Sequence, residues 1–256
     1  MVRRIAGHPA QRISADAAAA LVRSGMWIDY GAVLAQPDAF DAALAARAGQ
    51  VQGVKIRACL STKPRAVLEA DPDARSFFWL NSHFGGYDRR KSDAGVGNYL
   101  PVNLGEIPDY YRRFIEPVDI LILKCRPADV GGNFNFGLAN LWHRAIIERA
   151  KCVIVEECAS VPLALGVGNA VHRSEVDYII QGDGLPLAEL PATSATEIDR
   201  AVARVIMAEI DDGACLQIGI GGMPNVVCGL LLDSGVQGLG VQIGRASCRE
   251  RVSVLV

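Results

Sequence analysis

The strongest candidate for chemistry is the stretch of residues 215–227, which reads Cys-Leu-Gln-Ile-Gly-Ile-Gly-Gly-Met-Pro-Asn-Val-Val. Gly219, Gly221 and Gly222 have no Cβ, so a ligand can approach the backbone closely and φ can become positive where a turn requires it. Pro224 is typical of the first position of a helix, where free N–H groups attract anionic oxygen. The stretch predicts a strand, a glycine loop and a helix start that could hold a phosphate or a developing oxyanion.

Established glycine motifs do not fit this stretch. A dinucleotide-binding G-x-G-x-x-G motif would need glycine where the chain has Pro224, and no acidic residue lies about 20 positions further on to bind a ribose hydroxyl. The chain also has neither the G-x-S-x-G motif of serine hydrolases nor the G-x-x-x-x-G-K-[ST] motif of P-loops. A loop of backbone N–H donors is the interpretation that remains.

Two glutamates and two histidines are further candidates for proton transfer. Glu156 and Glu157 follow an apolar run, so one of them could act as a base whose pKa is raised by burial. The alternative is a structural carboxylate that caps a helix or pairs with an arginine. We interpret His83 and His143 as hydrogen-bonded structural groups rather than as catalytic bases.

The spacing of histidines and cysteines predicts no metal site. The four histidines form no H-x-x-H or H-x-x-x-H pair, and no cysteine lies near them at zinc-ligand spacing. The seven cysteines form no C-x-x-C motif, and most lie in apolar runs where a free thiol packs as a small hydrophobic group. We therefore expect reduced cysteines and no metal ion.

Composition limits the class of protein. The 26 basic and 28 acidic residues give a net charge of −2, which provides no polybasic field for nucleic acid or for a membrane surface. Half of the 256 residues are apolar, which is enough for the core of one large or two medium domains. No apolar run approaches the roughly 18 residues of a membrane helix, and no signal-peptide core follows the N-terminus. A soluble cytoplasmic protein is expected.

Helical and strand-like segments alternate along the first two thirds of the chain. Ser14 is a candidate N-cap, and the apolar spacing predicts helices over 16–23, 37–48 and 138–149. Strands are predicted at residues 26–30, 54–59, 77–80, 118–123 and 152–155. This alternation predicts an α/β fold with a mostly parallel sheet. Three loops interrupt it, at 82–87, 131–137 and 156–162, and each is either a simple turn or part of a site.

A second domain is predicted after a polar, proline-containing linker at residues 181–196. A capping box at 194–197 then starts a helix. We expect one face of this helix to be apolar until its last turn; that face comprises Ile198, Ala201, Val202, Val205, Ile206 and Glu209.

Several of these segments, taken together, resemble the acetyl-CoA hydrolase/transferase family. The resemblance is greatest to the branch of CoA-transferases that act on butyryl-CoA and acetate, and it extends to the 4-hydroxybutyrate type. The last of the matching segments is specific, and all of them follow the family's order: residues 24–31, 106–112, 132–137, 177–182 and 213–225.

The resemblance implies a fold, a substrate and a mechanism. It implies two α/β domains of the CoA-transferase (NagB/RpiA-like) type with mostly parallel sheets, the second one truncated. In the family, the loop matching Gly219, Ile220, Gly221, Gly222 and Met223 binds CoA, which is a substrate and not a permanently bound cofactor. A glutamate attacks the acyl-CoA and becomes a glutamyl-CoA thioester, which an incoming carboxylate opens. The full-length protein is expected to be a homo-oligomer.

The chain departs from the family pattern shortly after the glycine loop. Residues 239–241 match, but Gln242, Ile243 and Gly244 stand where the resemblance places His, Thr or Ser, and the nucleophilic Glu. Residues 243–252 resemble a translated sequencing adapter, which would also account for Gln242. The alternative is a genuine basic segment that ends in an apolar strand at 252–256.

The predicted organisation is an N-terminal acetyl-CoA hydrolase/transferase domain at 1–190, the start of a second domain at 191–242 and a non-native tail at 243–256. A CoA-transferase cut off before its nucleophile is therefore the main hypothesis. An acetyl-CoA hydrolase and a non-catalytic CoA-binding fragment are the alternatives.

Overall fold

The structure is a computed structural model that describes residues 5–188, 194–219 and 221–243. The chain divides into two compact units, residues 1–188 and 189–256, each of which is described by itself.

Ten strands and six α-helices are described in the first unit. The strands are β1 (Gln11–Arg12), β2 (Trp27–Ala32), β3 (Val54–Cys59), β4 (Phe77–Asn81), β5 (Gly97–Tyr99), β6 (Ile120–Cys125), β7 (Asn133–Asn135), β8 (Cys152–Glu157), β9 (Ala170–His172) and β10 (Tyr178–Gln181). The helices are α1 (Ala15–Ala20), α2 (Ala39–Ala45), α3 (Ala66–Ala70), α4 (Gly86–Asp93), α5 (Ile107–Arg113) and α6 (His143–Ile147).

Eight of these strands form one sheet in the order β1-β10-β8-β6-β2-β3-β4-β5, and every neighbouring pair is parallel. From β2 the chain winds outward through β3, β4 and β5, and then returns to the opposite side of β2 with β6. The direction of winding therefore reverses between β2 and β6. At such a switch point the connections leave the carboxyl ends of the strands in opposite directions and open a crevice. The expected α/β class with a mostly parallel sheet is confirmed.

Both faces of the sheet are covered, as a parallel sheet requires. Helices α1, α2 and α3 cover one face, with a core that includes Ile28, Ile56 and Trp79. Helices α5 and α6 cover the other, with a core that includes Leu121 and Val155. Burial on both sides explains why β6 is almost continuously apolar rather than alternating.

Local sequence patterns predicted several elements correctly. The predicted strand at 54–59 coincides with β3, and Oγ of Ser14 accepts a hydrogen bond from the N–H of Ala17 at 3.0 Å as the predicted N-cap of α1. The helix predicted at 138–149 is wrong in extent, because only His143–Ile147 is helical. Asn140 instead donates its side-chain amide to the carbonyl of Gly168 at 3.1 Å, a long-range contact that overrides local helical periodicity.

Each of the three predicted loops is only partly irregular. Tyr87 lies in α4, and residues 131–137 contain β7, which pairs with β9 in a separate antiparallel ribbon. Glu156 and Glu157 belong to β8 and do not begin a loop. The predicted linker at 181–196 is likewise irregular only after Gln181, the last residue of β10, and its residues 189–193 lie outside the described part of the chain.

The second unit contains α7 (Glu197–Met207), β11 (Cys215–Ile218), α8 (Gly222–Ser234) and β12 (Gly240–Ile243), around a small core of Ala203, Ile210, Val227 and Leu231. The capping box was predicted at the wrong residues. Thr196 is the N-cap, and its hydroxyl accepts from the N–H of Asp199 at 3.1 Å while the Asp199 carboxylate accepts from the N–H of Thr196 at 2.8 Å.

Of the predicted apolar face of α7, only Ile206 lies on the buried side of the helix. Ile198, Val202 and Val205 are 76%, 43% and 68% exposed, whereas Ala203 is fully buried. The buried strip runs through Ala203, Ile206, Met207 and Ile210, because that side of the helix packs against α8.

Substitution of Gly137, which follows β7, tests how tightly the region of the β7–β9 ribbon is packed. Its φ is +55°, and a Cβ at this position would lie 2.3 Å from the carbonyl oxygen of Pro162. We predict that Gly137→Ala lowers the free energy of unfolding by about 2 kcal/mol or more, since both the backbone and the contact oppose the new methyl group. Gly105→Ala is the control, because its nearest neighbour is a side-chain atom 3.6 Å away. Equal urea midpoints for the two variants would contradict this account.

Candidate functional site

The glycine loop joins β11 to α8. The strand ends at Ile218, and the helix begins at Gly222 with Gly221 as its N-cap. Gly221 has a φ of +146°, a conformation that side-chain-bearing residues rarely adopt. A Cβ on Gly219 would meet no atom of the described residues within 4 Å, so these residues leave the space beside it open. Ile220 lies outside the described residues.

Pro224 occupies the third position of α8, whereas the sequence had predicted that it would occupy the first. Proline is tolerated throughout the first turn, because the N–H groups there have no intrahelical acceptor. The N–H groups of Gly222 and Met223 therefore come first in the helix, and the N–H of Asn225 already bonds to the carbonyl of Gly221 at 3.3 Å. Two backbone donors and the positive end of a 13-residue helix thus face the loop.

Strand β12 lies parallel to β11, with Ile218 paired to Ile243. The carboxyl ends of the two strands therefore meet at one edge, and Gly219 is the residue that follows β11 there. Position 244, where the family resemblance places the nucleophile, lies outside the described residues, as do residues 245–256 of the predicted tail. Ile243, the first residue of that tail, is the last residue of β12.

A cluster of charges, which the sequence analysis missed, lies at the switch point of the first unit. The Asp38 carboxylate pairs with Lys63 at 2.7 Å, with Arg65 at 2.9 Å and with Lys124. Burial by itself would raise the pKa of Asp38, but hydrogen bonds from Lys124 and Lys63 outweigh it and the pKa is lowered. Lys124 in the otherwise apolar run of β6 was the available signal, because a buried lysine requires a partner.

Glu156 and Glu157 both have structural roles, which the sequence had left open as the alternative to a catalytic base. Glu156 is fully buried, and its carboxylate accepts from the N–H groups of Asp38 and Phe40, at 2.9 and 3.0 Å, at the start of α2. Burial raises the pKa of Glu156. Glu157 pairs with Arg12 at 2.7 Å. The first caps a helix and the second pairs with an arginine.

His143 is buried without the hydrogen bond that had been expected. Its ring stacks on Phe136 with centroids 4.9 Å apart, and its Nδ1 has no partner among the described residues. Burial lowers the pKa of His143 to about 4, so the ring is neutral near pH 7. His83 donates its backbone N–H to Oδ1 of Asn81 at 2.9 Å.

Within the residues that the structure describes, no group of three or more His, Cys, Asp or Glu side chains is arranged to hold a metal ion. The described helices also include none that is long and apolar enough to cross a membrane.

Together these features define a doubly wound parallel α/β protein, followed by a parallel strand pair whose glycine loop opens a helix. The chain belongs to the acetyl-CoA hydrolase/transferase family, because residues 3–191 match the model of that family's N-terminal domain.

Curated relatives and solved structures agree with this assignment. The chain is 40% identical over 230 residues to the butyryl-CoA:acetate CoA-transferase of Anaerostipes caccae, covering 89% of this chain and 52% of that one. It is 35% identical to a probable butyrate:acetyl-CoA coenzyme A-transferase of Syntrophomonas wolfei, covering 90% of this chain and 51% of that one. The chain therefore spans about half the length of these relatives.

Two solved structures share the fold. RipA from Yersinia pestis superposes with a TM-score of 0.79 at 28% identity, covering 90% of this chain and 55% of that one. A 4-hydroxybutyrate CoA-transferase from Porphyromonas gingivalis has a TM-score of 0.68 at 22% identity, covering 91% of this chain and 54% of that one.

Acid should destabilise the first unit through His143. The unfolded pKa of histidine is about 6.5, above the folded value, so the unfolded chain takes up the proton first as pH falls. The neutral, buried His143 therefore makes its full contribution to stability above about pH 6.5, and this contribution is lost as pH falls towards 4. We predict that lowering the pH from 7.5 to 5 reduces the free energy of unfolding of the wild type by about 2 kcal/mol more than it reduces that of His143→Leu. Urea unfolding at the two pH values measures this difference. An identical pH dependence in the two proteins would disprove this role.

Proposed function

We propose that this chain is part of a CoA-transferase that exchanges CoA between a short-chain acyl-CoA, such as butyryl-CoA, and acetate. The observation that carries the proposal is the 40% identity to the Anaerostipes caccae butyryl-CoA:acetate CoA-transferase. That match covers 89% of the chain and so includes the glycine loop. Membership of the acetyl-CoA hydrolase/transferase family supports the same reaction class.

The proposed chemistry is a two-stage exchange through a glutamate. Its carboxylate attacks the thioester carbonyl and expels the CoA thiolate, which leaves an acyl-glutamyl anhydride. The thiolate then attacks the glutamyl carbonyl, releases the first carboxylic acid as its anion and forms a glutamyl-CoA thioester. The same two steps in reverse, with acetate, produce acetyl-CoA and restore the glutamate. Each attack places negative charge on a carbonyl oxygen, so fixed N–H donors accelerate the reaction.

The glycine loop is suited to the CoA end of this exchange. We assign CoA binding to Gly219, Ile220, Gly221, Gly222 and Met223. The N–H groups of Gly222 and Met223 lie in the first turn of α8, where an N–H has no acceptor within the helix and can bind an anionic oxygen. The open space beside Gly219 allows the ligand to approach the backbone.

The nucleophile itself is not expected in this polypeptide. Gly244 stands at the position that the resemblance assigns to the glutamate, and glycine has no carboxylate. We therefore expect the chain to bind CoA without turning over substrate. The catalytic proposal refers to the full-length protein with glutamate at this position.

The variant Gly219→Ala should weaken CoA binding without changing the stability of the fold. In the described part of the chain the new methyl group meets no atom within 4 Å, and φ at this position is not positive, so stability should be unchanged. We predict that the methyl group occupies space needed by CoA and weakens CoA binding by about tenfold, measured by isothermal titration calorimetry. Gly229→Ala, inside α8 and equally unobstructed, is the matched control and should bind CoA normally. Unchanged CoA affinity in Gly219→Ala would argue against this loop as the CoA site.

A thioester hydrolase of the same family is the second candidate, favoured by the family description alone. The two reactions differ in the acceptor, which is water in the hydrolase. With the full-length protein, we predict that acetyl-CoA forms from butyryl-CoA only when acetate is added, as measured by chromatography. Release of free CoA thiol at the same rate without acetate would instead identify a hydrolase.

A further inference from the structure

The segment that follows β10, residues 182–188, crosses the carboxyl edge of the sheet and is called the strap below. At its start the N–H of Gly182 donates to the carbonyl of Glu157, the last residue of β8, at 2.8 Å. Near its end Leu187 lines a small cavity together with Leu34, which follows β2. Strands β10 and β2 are three strand spacings apart, about 14 Å, and six residue steps can span about 20 Å. The strap is therefore long enough to bridge the four strands from β10 to β2.

The strap closes the crevice at the switch point between β2 and β6. The cavity beneath it has a volume of about 10 Å³, which is the space of a single water molecule. The other side of this cavity includes Asp38, Lys63 and Lys124 of the ionic cluster, and Cys158, which follows β8. Lys124 and Cys158 are each 4% exposed. Ligands of doubly wound folds bind in this crevice, so a molecule larger than water can enter here only when the strap moves.

The contacts of the strap are those of a movable segment. Leu185, at its middle, is 60% exposed. Within the residues that the structure describes, the hydrogen bonds from the strap to the rest of the unit are the one donated by Gly182 and one from the hydroxyl of Ser160 to the carbonyl of Leu185 at 3.3 Å. The Asp183 carboxylate accepts from the N–H of Leu185 at 3.1 Å, a contact inside the strap. Segments with so few contacts open more readily than core strands do.

Two glycines determine how the strap can move. A Cβ on Gly182 would lie 2.7 Å from the carbonyl oxygen of Glu157, so the strap leaves β8 through a close contact that glycine alone permits. Gly184 has a φ of +71°, and a Cβ there would meet no described atom within 4 Å. The strap is therefore fixed at Gly182 and can turn at Gly184, as hinge residues of lid segments do.

We propose that the strap is a gate that turns about Gly184 and controls access to the crevice over Lys124 and Cys158. In the closed form it shields this part of the ionic cluster from water. In the open form it exposes Lys124 and the Cys158 thiol while the sheet stays folded. The gate belongs to the first unit and does not depend on the proposed transfer reaction.

Cys158 lies against the strap and can report its opening. The Sγ atom is 3.0 Å from Oγ of Ser160, the same hydroxyl that donates to the carbonyl of Leu185. A reagent can reach the thiol only when the strap has moved away. Cys125 is a benchmark for global unfolding, because it is fully buried in the central strand β6.

Alkylation of the 256-residue chain by iodoacetamide, followed by tandem mass spectrometry, tests the gate. Cys158 should react at least about tenfold more slowly than in the urea-unfolded chain, and at least about tenfold faster than Cys125 in the folded chain. Low concentrations of urea should accelerate Cys125 far more than Cys158, because opening the strap exposes little surface. Equal rates and equal urea dependence for the two thiols would overturn the proposal. Reaction of Cys158 as fast as in the unfolded chain would also overturn it.

Two variants locate the gate. Gly182→Ala should raise the alkylation rate of Cys158 by about tenfold, because the new methyl group forces the strap away from β8. Pro186→Gly should raise it about two- to fivefold, because glycine gives the open strap more conformational freedom. This second variant removes no hydrogen-bonding group, so it tests the gate even if Gly182→Ala does not fold.

Gly25→Ala is the matched control. Gly25 has a φ of +79° and precedes β2, so the variant is strained at the amino ends of the strands, away from the strap. It should accelerate Cys125, which reports global unfolding, and leave the rate of Cys158 unchanged. Unchanged Cys158 rates in both strap variants, or an equal acceleration in Gly25→Ala, would show that the strap does not control access to the crevice.

Discussion

The first unit depends on the ionic cluster around Asp38. This carboxylate follows β2 and pairs with Lys63 and Arg65, which follow β3, and with Lys124 in β6. Glu156 of β8 accepts the N–H of Asp38 and joins a fourth strand to the cluster. These four strands are neighbours in the sheet, so one set of charges ties their carboxyl ends across the switch point. Removing Asp38 would leave the buried Arg65 and Lys124 without the carboxylate that pairs with them, at a cost of about 3–5 kcal/mol.

This arrangement follows from the parallel sheet. Every strand runs in the same direction, so each delivers its following loop to the same edge, and polar groups from distant parts of the sequence gather there. The helices that cover both faces leave that edge as the place where charges can meet. The second unit uses the same principle on a smaller scale, since β11 and β12 run parallel and the glycine loop leaves their common carboxyl end.

Local patterns in the sequence predicted what depends on local structure. The strand predicted at 54–59 has the same bounds as β3, and alternating helical and strand-like segments indicated a parallel α/β fold. The strand, glycine loop and helix at 215–227 were also visible locally, because glycine and proline mark such turns directly. The shortened α6 and the buried side of α7 were not, since contacts with distant residues decided both.

Sites formed by distant residues were inaccessible to the same reasoning. The Asp38 cluster joins positions separated by up to 118 residues, and a small cavity beside α5 is lined by both Arg57 and Trp142. Each partner looks ordinary in the sequence: a lysine at the end of an apolar strand, an arginine in another, a tryptophan before a short helix. Only the register of β2, β3 and β6 shows that they meet.

The central claim is that the loop between β11 and α8 binds CoA, and amide hydrogen exchange measures this directly. The account predicts that adding CoA to the 256-residue chain slows exchange in peptides covering residues 216–226, because the N–H groups of Gly222 and Met223 acquire an acceptor. Unchanged exchange in this segment at saturating CoA would contradict it.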